Sequence, residues 1–158
     1  RTRSLTSGLR PPLLDELGIE PALRAFVEAR ARESGLHANM EASGLRERLP
    51  EDLEMACFRI VEEAVKSATE HASAKRMVVT LRRTQTELRI RVENYQAVGL
   101  IDADVAPIED SYLALVGIRE RVRMLGGELA LSTSGPRYAG FCVDVTLPLA
   151  QRLREVDA

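Results

Sequence analysis

Cysteine, clustered basic residues and long apolar runs are what this sequence has least of, and each shortage removes a class of protein. Cys57 and Cys142 are its two cysteines and they have no metal-ligand spacing. Free thiols in a reducing cytosol are the simplest reading of both, ahead of a disulfide. The 22 Lys and Arg are scattered among 24 Asp and Glu for a net charge of −2. No basic block is concentrated enough to hold a phosphate backbone, so nucleic acid is not an expected partner. No stretch approaches the ~20 apolar residues of a membrane span and no signal peptide is visible, so this domain is expected to make no membrane contact. Internal repeats and low-complexity tracts are lacking too.

What is present is ordinary for a soluble globular domain: 158 residues, 45% hydrophobic and 29% charged, enough chain for one sizeable core. The first residue is Arg1 rather than Met, which suggests a piece of something longer. Residues 51–72, EDLEMACFRIVEEAVKSATEHA, have neither Gly nor Pro, and Leu53, Cys57, Ile60, Ala64 and Ala68 recur at helical steps as an apolar stripe. Glu63, Ser67, Glu70 and His71 recur beside it on a polar strip. That strip alone is most simply a solvated face.

Along the rest of the chain, Pro11-Pro12 stops any helix arriving from the N-terminal side. Ile19–Ser34 reads as a helix with Leu23, Phe26, Val27 and Ala31 inward and Gly35 at its end. Leu36–Ala42 reads as an edge strand on which His37 is solvated. Arg76–Arg83 and Glu87–Asn94 read as a hairpin turning at Thr84-Gln85-Thr86. A helix is expected over Leu113–Leu125, with Leu115, Ile118, Val122 and Leu125 as its stripe and Gly126-Gly127 as its stop. Strands over Glu128–Thr133 and Phe141–Leu147 complete the order. It predicts a two-layer α/β sandwich, a mixed five-stranded sheet with three helices on one face. Tyr95–Asp110 is the long irregular segment, of the kind that serves as a lid or binding loop.

Two segments carry a resemblance. The frame Glu63, Ser67-Ala68, Glu70-His71 resembles the N-box of the ATP-binding domain of sensor histidine kinases in the GHKL ATPase superfamily, whose pattern is Glu-x-x-x-Asn-Ala-x-Lys/Arg-His. The opening LRPPLLDELG resembles the junction at which kinases of the nitrate-sensor and DesK-like type enter that domain. The resemblance implies that residues 1–12 end an upstream dimerisation helix and its linker, 13–150 form the ATP-binding-like domain, and 151–158 are a tail. It implies as partners the upstream dimerisation helices with their phosphoacceptor histidine and, indirectly, a response regulator. Neither His37 nor His71 lies in the family's phosphoacceptor sequence.

The resemblance also assigns the ligands, ATP and Mg²⁺, and the positions to inspect. Glu63 matches the Glu that polarises the attacking group. Ser67 stands where an Asn amide oxygen holds Mg²⁺, a hard cation that wants oxygen ligands. Glu70 replaces a basic residue beside the phosphates, a change of the wrong sign. Asn94 stands for the base-recognising Asp of an Asp-x-Gly-x-Gly segment, in which Gln96 and Val98 replace both glycines, with Gly99 just beyond. In the second glycine segment Tyr112 and Ala114 replace two glycines and leave Gly117 at an expected helix N-terminus, while GIRERV is kept. Gly140 matches the glycine of a late Gly-Thr pair whose threonine is Phe141. Asp102, Asp104, Glu109 and Asp110 make the lid acidic.

The departures fall on ligand-facing positions, and the helix stripes and strand alternation are intact. This favours a kept fold with a decayed nucleotide site, a pseudokinase-like regulatory module. The other readings are an active kinase domain, a partner-binding relative of anti-sigma-factor kinases, and an unrelated α/β binding module.

Overall fold

A computed structural model describes residues 11–70, 74–96, 108–133 and 141–149. Helix α1 spans Pro12–Leu17, α2 Ile19–Ser34, strand β1 His37–Ser43, α3 Glu51–Glu70, β2 Ala74–Arg83, β3 Glu87–Gln96, α4 Ile108–Met124, β4 Glu128–Thr133 and β5 Phe141–Pro148. The strands form one sheet in the order β1-β2-β3-β5-β4. β1 runs parallel to β2 and the remaining pairs are antiparallel, which gives the mixed five-stranded sheet.

One face of the sheet is covered. Met77, Val79 and Leu81 on β2, Leu88, Ile90 and Val92 on β3, and Val143, Val145 and Leu147 on β5 are buried with the helices, as the two-residue period of a half-buried strand requires. On the other face Arg89 reaches across to Asp144, at 3.3 Å. That pair is half in water and adds little stability. Against the covered face, α3 places Leu53, Cys57, Ile60, Ala64 and Ala68 at zero exposure. Its Phe58 meets Phe26 of α2 edge to face, ring centroids 5.9 Å apart.

The helix ends follow local chemistry. The α4 helix stops in a Schellman arrangement: Gly126 adopts φ 78°, its N–H donates to the Arg123 carbonyl and that of Gly127 to Val122, both at 2.9 Å. The left-handed conformation suits a residue without Cβ. Near the other end of the chain Pro12 opens a helix, because a proline in the first turn loses no hydrogen bond there; the helix expected to arrive before Pro11-Pro12 lies outside the described residues. The helices are therefore four among the described residues, a short α1 preceding the three expected.

Both cysteines are buried free thiols. Burial pushes the Cys57 thiol far above its ordinary range, with the nearby Glu54 carboxylate adding to the shift, and it also raises Cys142. Two results follow. Native protein at pH 8 should leave Cys57 unmodified by iodoacetamide over hours, while denatured protein reacts within minutes. Because the unfolded thiols ionise at about 8.5 and the folded ones above that, stability is full below pH 8.5. Above it stability should fall by ~1.4 kcal/mol per pH unit from Cys57, which stays neutral in the folded protein, measurable as a falling urea midpoint between pH 8 and 10.

Candidate nucleotide site

The polar strip of α3 divides on folding. Glu63 is exposed, whereas Ser67, one turn later, is only 3% exposed. Its helical neighbours Ala64 and Ala68 are fully buried. Glu70 is the last described residue of α3. His71 and Gly140 lie outside the described residues, as do Val98, Gly99, Asp102 and Asp104.

Asn94, near the end of β3, is 4% exposed and points into the same corner, where its Nδ2 donates to the Ala68 carbonyl at 3.3 Å. A carbonyl only accepts, so the atom facing it is the amide nitrogen. The contact serves one of the C-terminal carbonyls that α3 leaves over, and it binds the end of β3 to the turn that carries Ser67. An aspartate here would set carboxylate oxygen against carbonyl oxygen. The substitution that looks conservative in sequence is thus matched to its neighbour.

Beyond Asn94 the strand continues. Tyr95 pairs with Arg76 and Gln96 with Ala74, so the residue standing for the first glycine is extended backbone in a ladder. At the far side of the loop, α4 begins at Ile108. The irregular segment is shorter than the expected Tyr95–Asp110: Glu109 and Asp110 belong to the first turn of α4, and the remainder, 97–107, is outside the described residues. Gly117 is likewise not at a helix N-terminus but inside α4. Tyr112 and Ala114 precede it on the same helix, where amides are spent on intrahelical bonds and offer no cradle to phosphate.

The structure therefore brings Ser67, Ala68 and Asn94 together at one corner, with Glu63 exposed a turn away and Gly117 on a helix packed against α3. No group of three or more His, Cys, Asp or Glu side chains is arranged to hold a metal among the described residues, and the Ser67 hydroxyl, at the position the resemblance gives to the metal ligand, is buried.

Sequence reasoning missed one constellation. Glu54 is 1% exposed and its carboxylate is held by Arg48, Nε to Oε2 at 2.7 Å and Nη2 to Oε1 at 3.0 Å. The signal was available: Glu54 falls on the same three- and four-residue steps as Phe58, Val61 and Val65, and a charge on a buried stripe demands a partner.

No protein-family model matches the chain. Among curated proteins it is 31% identical over 131 residues to the signal transduction histidine-protein kinase/phosphatase DegS of Brevibacillus brevis, covering 83% of this chain and 33% of that protein. It is 29% identical over 148 residues to the sensor histidine kinase ComP of Bacillus subtilis, covering 94% of this chain and 19% of ComP. The chain thus spans a third or less of the length of these relatives. Among solved structures, the histidine kinase domain of the blue-light activated kinase of Erythrobacter litoralis superposes with a TM-score of 0.60 at 25% identity, covering 83% of this chain and 61% of that one. Among the described residues no helix is long and apolar enough to cross a membrane. Over most of its own length the chain matches sensor histidine kinases, and it has the fold of their GHKL-type ATP-binding domain.

Proposed function

We propose that residues 13–150 are the ATP-binding-type module of a two-component sensor histidine kinase in which Mg-ATP binding is weak or lost, and that the module acts by docking on the parent's dimerisation helices. Catalytic domains of this family bind ATP with Mg²⁺. The observation that carries the departure here is the Asn94–Ala68 contact: the base-recognition position is tied into the fold as an amide, next to a buried Ser67 where the metal ligand belongs. A module without ATP chemistry still biases a two-state kinase if it binds one arrangement of the helices better than the other. The response regulator is reached only through those helices.

Two measurements test this. Calorimetry of the domain against the parent's dimerisation helices should give saturable binding without nucleotide. No heat at concentrations where active relatives bind would reject docking. Restoring the family carboxylate should not restore the site: Asn94→Asp is expected to lose ~1–3 kcal/mol of stability in urea, the cost of a buried acceptor facing another acceptor, with no gain in ATP binding. A variant of unchanged stability that binds ATP would favour the second reading, an active kinase that phosphorylates a histidine on the upstream helices. Exposed Glu63 supports that reading, since it is the family's catalytic-type residue, unchanged and reachable. A partner-binding role like that of anti-sigma-factor kinases predicts binding to a separate protein and none to the helices.

A further inference from the structure

The buried Glu54 sits in the first turns of α3 and is not needed to fill the core; an apolar side chain packs as well there without desolvation. What the carboxylate does is orient Arg48. With Nε and Nη2 fixed on Glu54, the guanidinium turns its remaining donors to the end of α1: Nη2 to the Leu14 carbonyl at 3.0 Å and Nη1 to the Asp15 carbonyl at 3.4 Å. The Asp15 carbonyl is one that a helix leaves over at its C-terminus, and the Leu14 carbonyl has a second lone pair for the guanidinium. The Leu14 carbonyl also accepts the Gly18 N–H at 3.1 Å. Gly18, at φ 98°, is the joint between α1 and α2, and a Cβ there would stand 3.1 Å from Arg48 Cδ. The joint is thus open for the arginine to pass beneath.

Helix α1 has six residues, and Leu14 is the one it buries. So short a helix does not hold itself in water. That leucine and the guanidinium help to hold it on the domain. We propose that Arg48 is a positioning residue, the latch of an N-terminal clasp: braced by Glu54, it caps α1 and fixes that helix relative to the helix that bears Glu63 and Ser67. The proposal does not depend on nucleotide binding.

Hydrogen exchange on the whole chain separates the clasp from a plain core ion pair. The informative variant is Arg48→Lys, since an ammonium still neutralises Glu54 but lacks the planar fork that reaches two carbonyls as well. We expect its thermal midpoint to stay within about 5 °C of the parent. The amides of Leu14, Asp15 and Gly18 should exchange at least tenfold faster, and those of Ile60 to Val65 less than twofold faster, as in local opening. Arg48→Gln should loosen α1 by as much or more. Unchanged α1 amides in both variants would overturn the proposal, because capping would then hold nothing. Equal losses in α1 and α3 would overturn it also, since the pair would be a brace for the whole domain.

Discussion

Titration of Mg-ATP or Mg-ADP into this chain is expected to give no saturable heat in the micromolar range and no rise in its unfolding temperature. A ligand held only by the native state must raise stability by mass action, so thermal shift and calorimetry report the same event independently. On the reading proposed above, four departures act against the ligand: a carboxylate, Glu70, at the position the resemblance gives to a phosphate-facing base; a buried hydroxyl, Ser67, at that of the metal ligand; Gln96 extended in the β3 ladder at that of a glycine; and Tyr112 and Ala114 within α4 at those of two more glycines. If each costs ~1 kcal/mol and they act independently, affinity falls about a thousandfold. For the same reason Ser67→Asn combined with Glu70→Lys should fail to restore binding, because the backbone on both sides of the loop is already committed to strand and helix. A micromolar signal that disappears in Glu63→Ala would establish an active site instead.

The largest single loss of stability is expected at Phe58. Its ring is 5% exposed and is the contact through which α3 and α2 meet edge to face. Truncation to alanine removes both the buried area and the ring pair, and α2 and α3, each already packed on the sheet, cannot close the void. The expected cost is about 3–5 kcal/mol, or roughly 6–20 °C in unfolding temperature for a chain of this size. Lys66→Ala, on the exposed side of the same helix, should change it by less than ~0.5 kcal/mol. Equal effects at the two positions would mean that α3 does not pack in this orientation.

The elements were legible because each rests on a period that one sequence displays. The stripe of α3 and the alternation through Leu88, Ile90 and Val92 place the same residues in the core that the structure buries. Gly35 and Gly126 ended their helices where expected. Boundaries next to the candidate site were less legible. Strand β3 runs on through Tyr95 and Gln96 because β2 is there to pair with, and pairing partners are not neighbours in sequence.

What the sequence determined by itself was the layer architecture, the core faces and the family frame, since these depend on local periodicity and on residue identities at fixed spacings. Tertiary structure alone decided the environment of each polar group. Glu63 and Ser67 lie four residues apart on one helix, yet one is exposed and the other buried, a difference that four-residue spacing does not foretell. Asn94 and Ala68 are joined by a hydrogen bond across 26 residues, and Arg48 collects acceptors from Leu14, Asp15 and Glu54. Such contacts follow from how α1, α3 and the sheet are set against one another. A side chain's partner is fixed by distance in the folded chain, and periodicity carries no information about that distance.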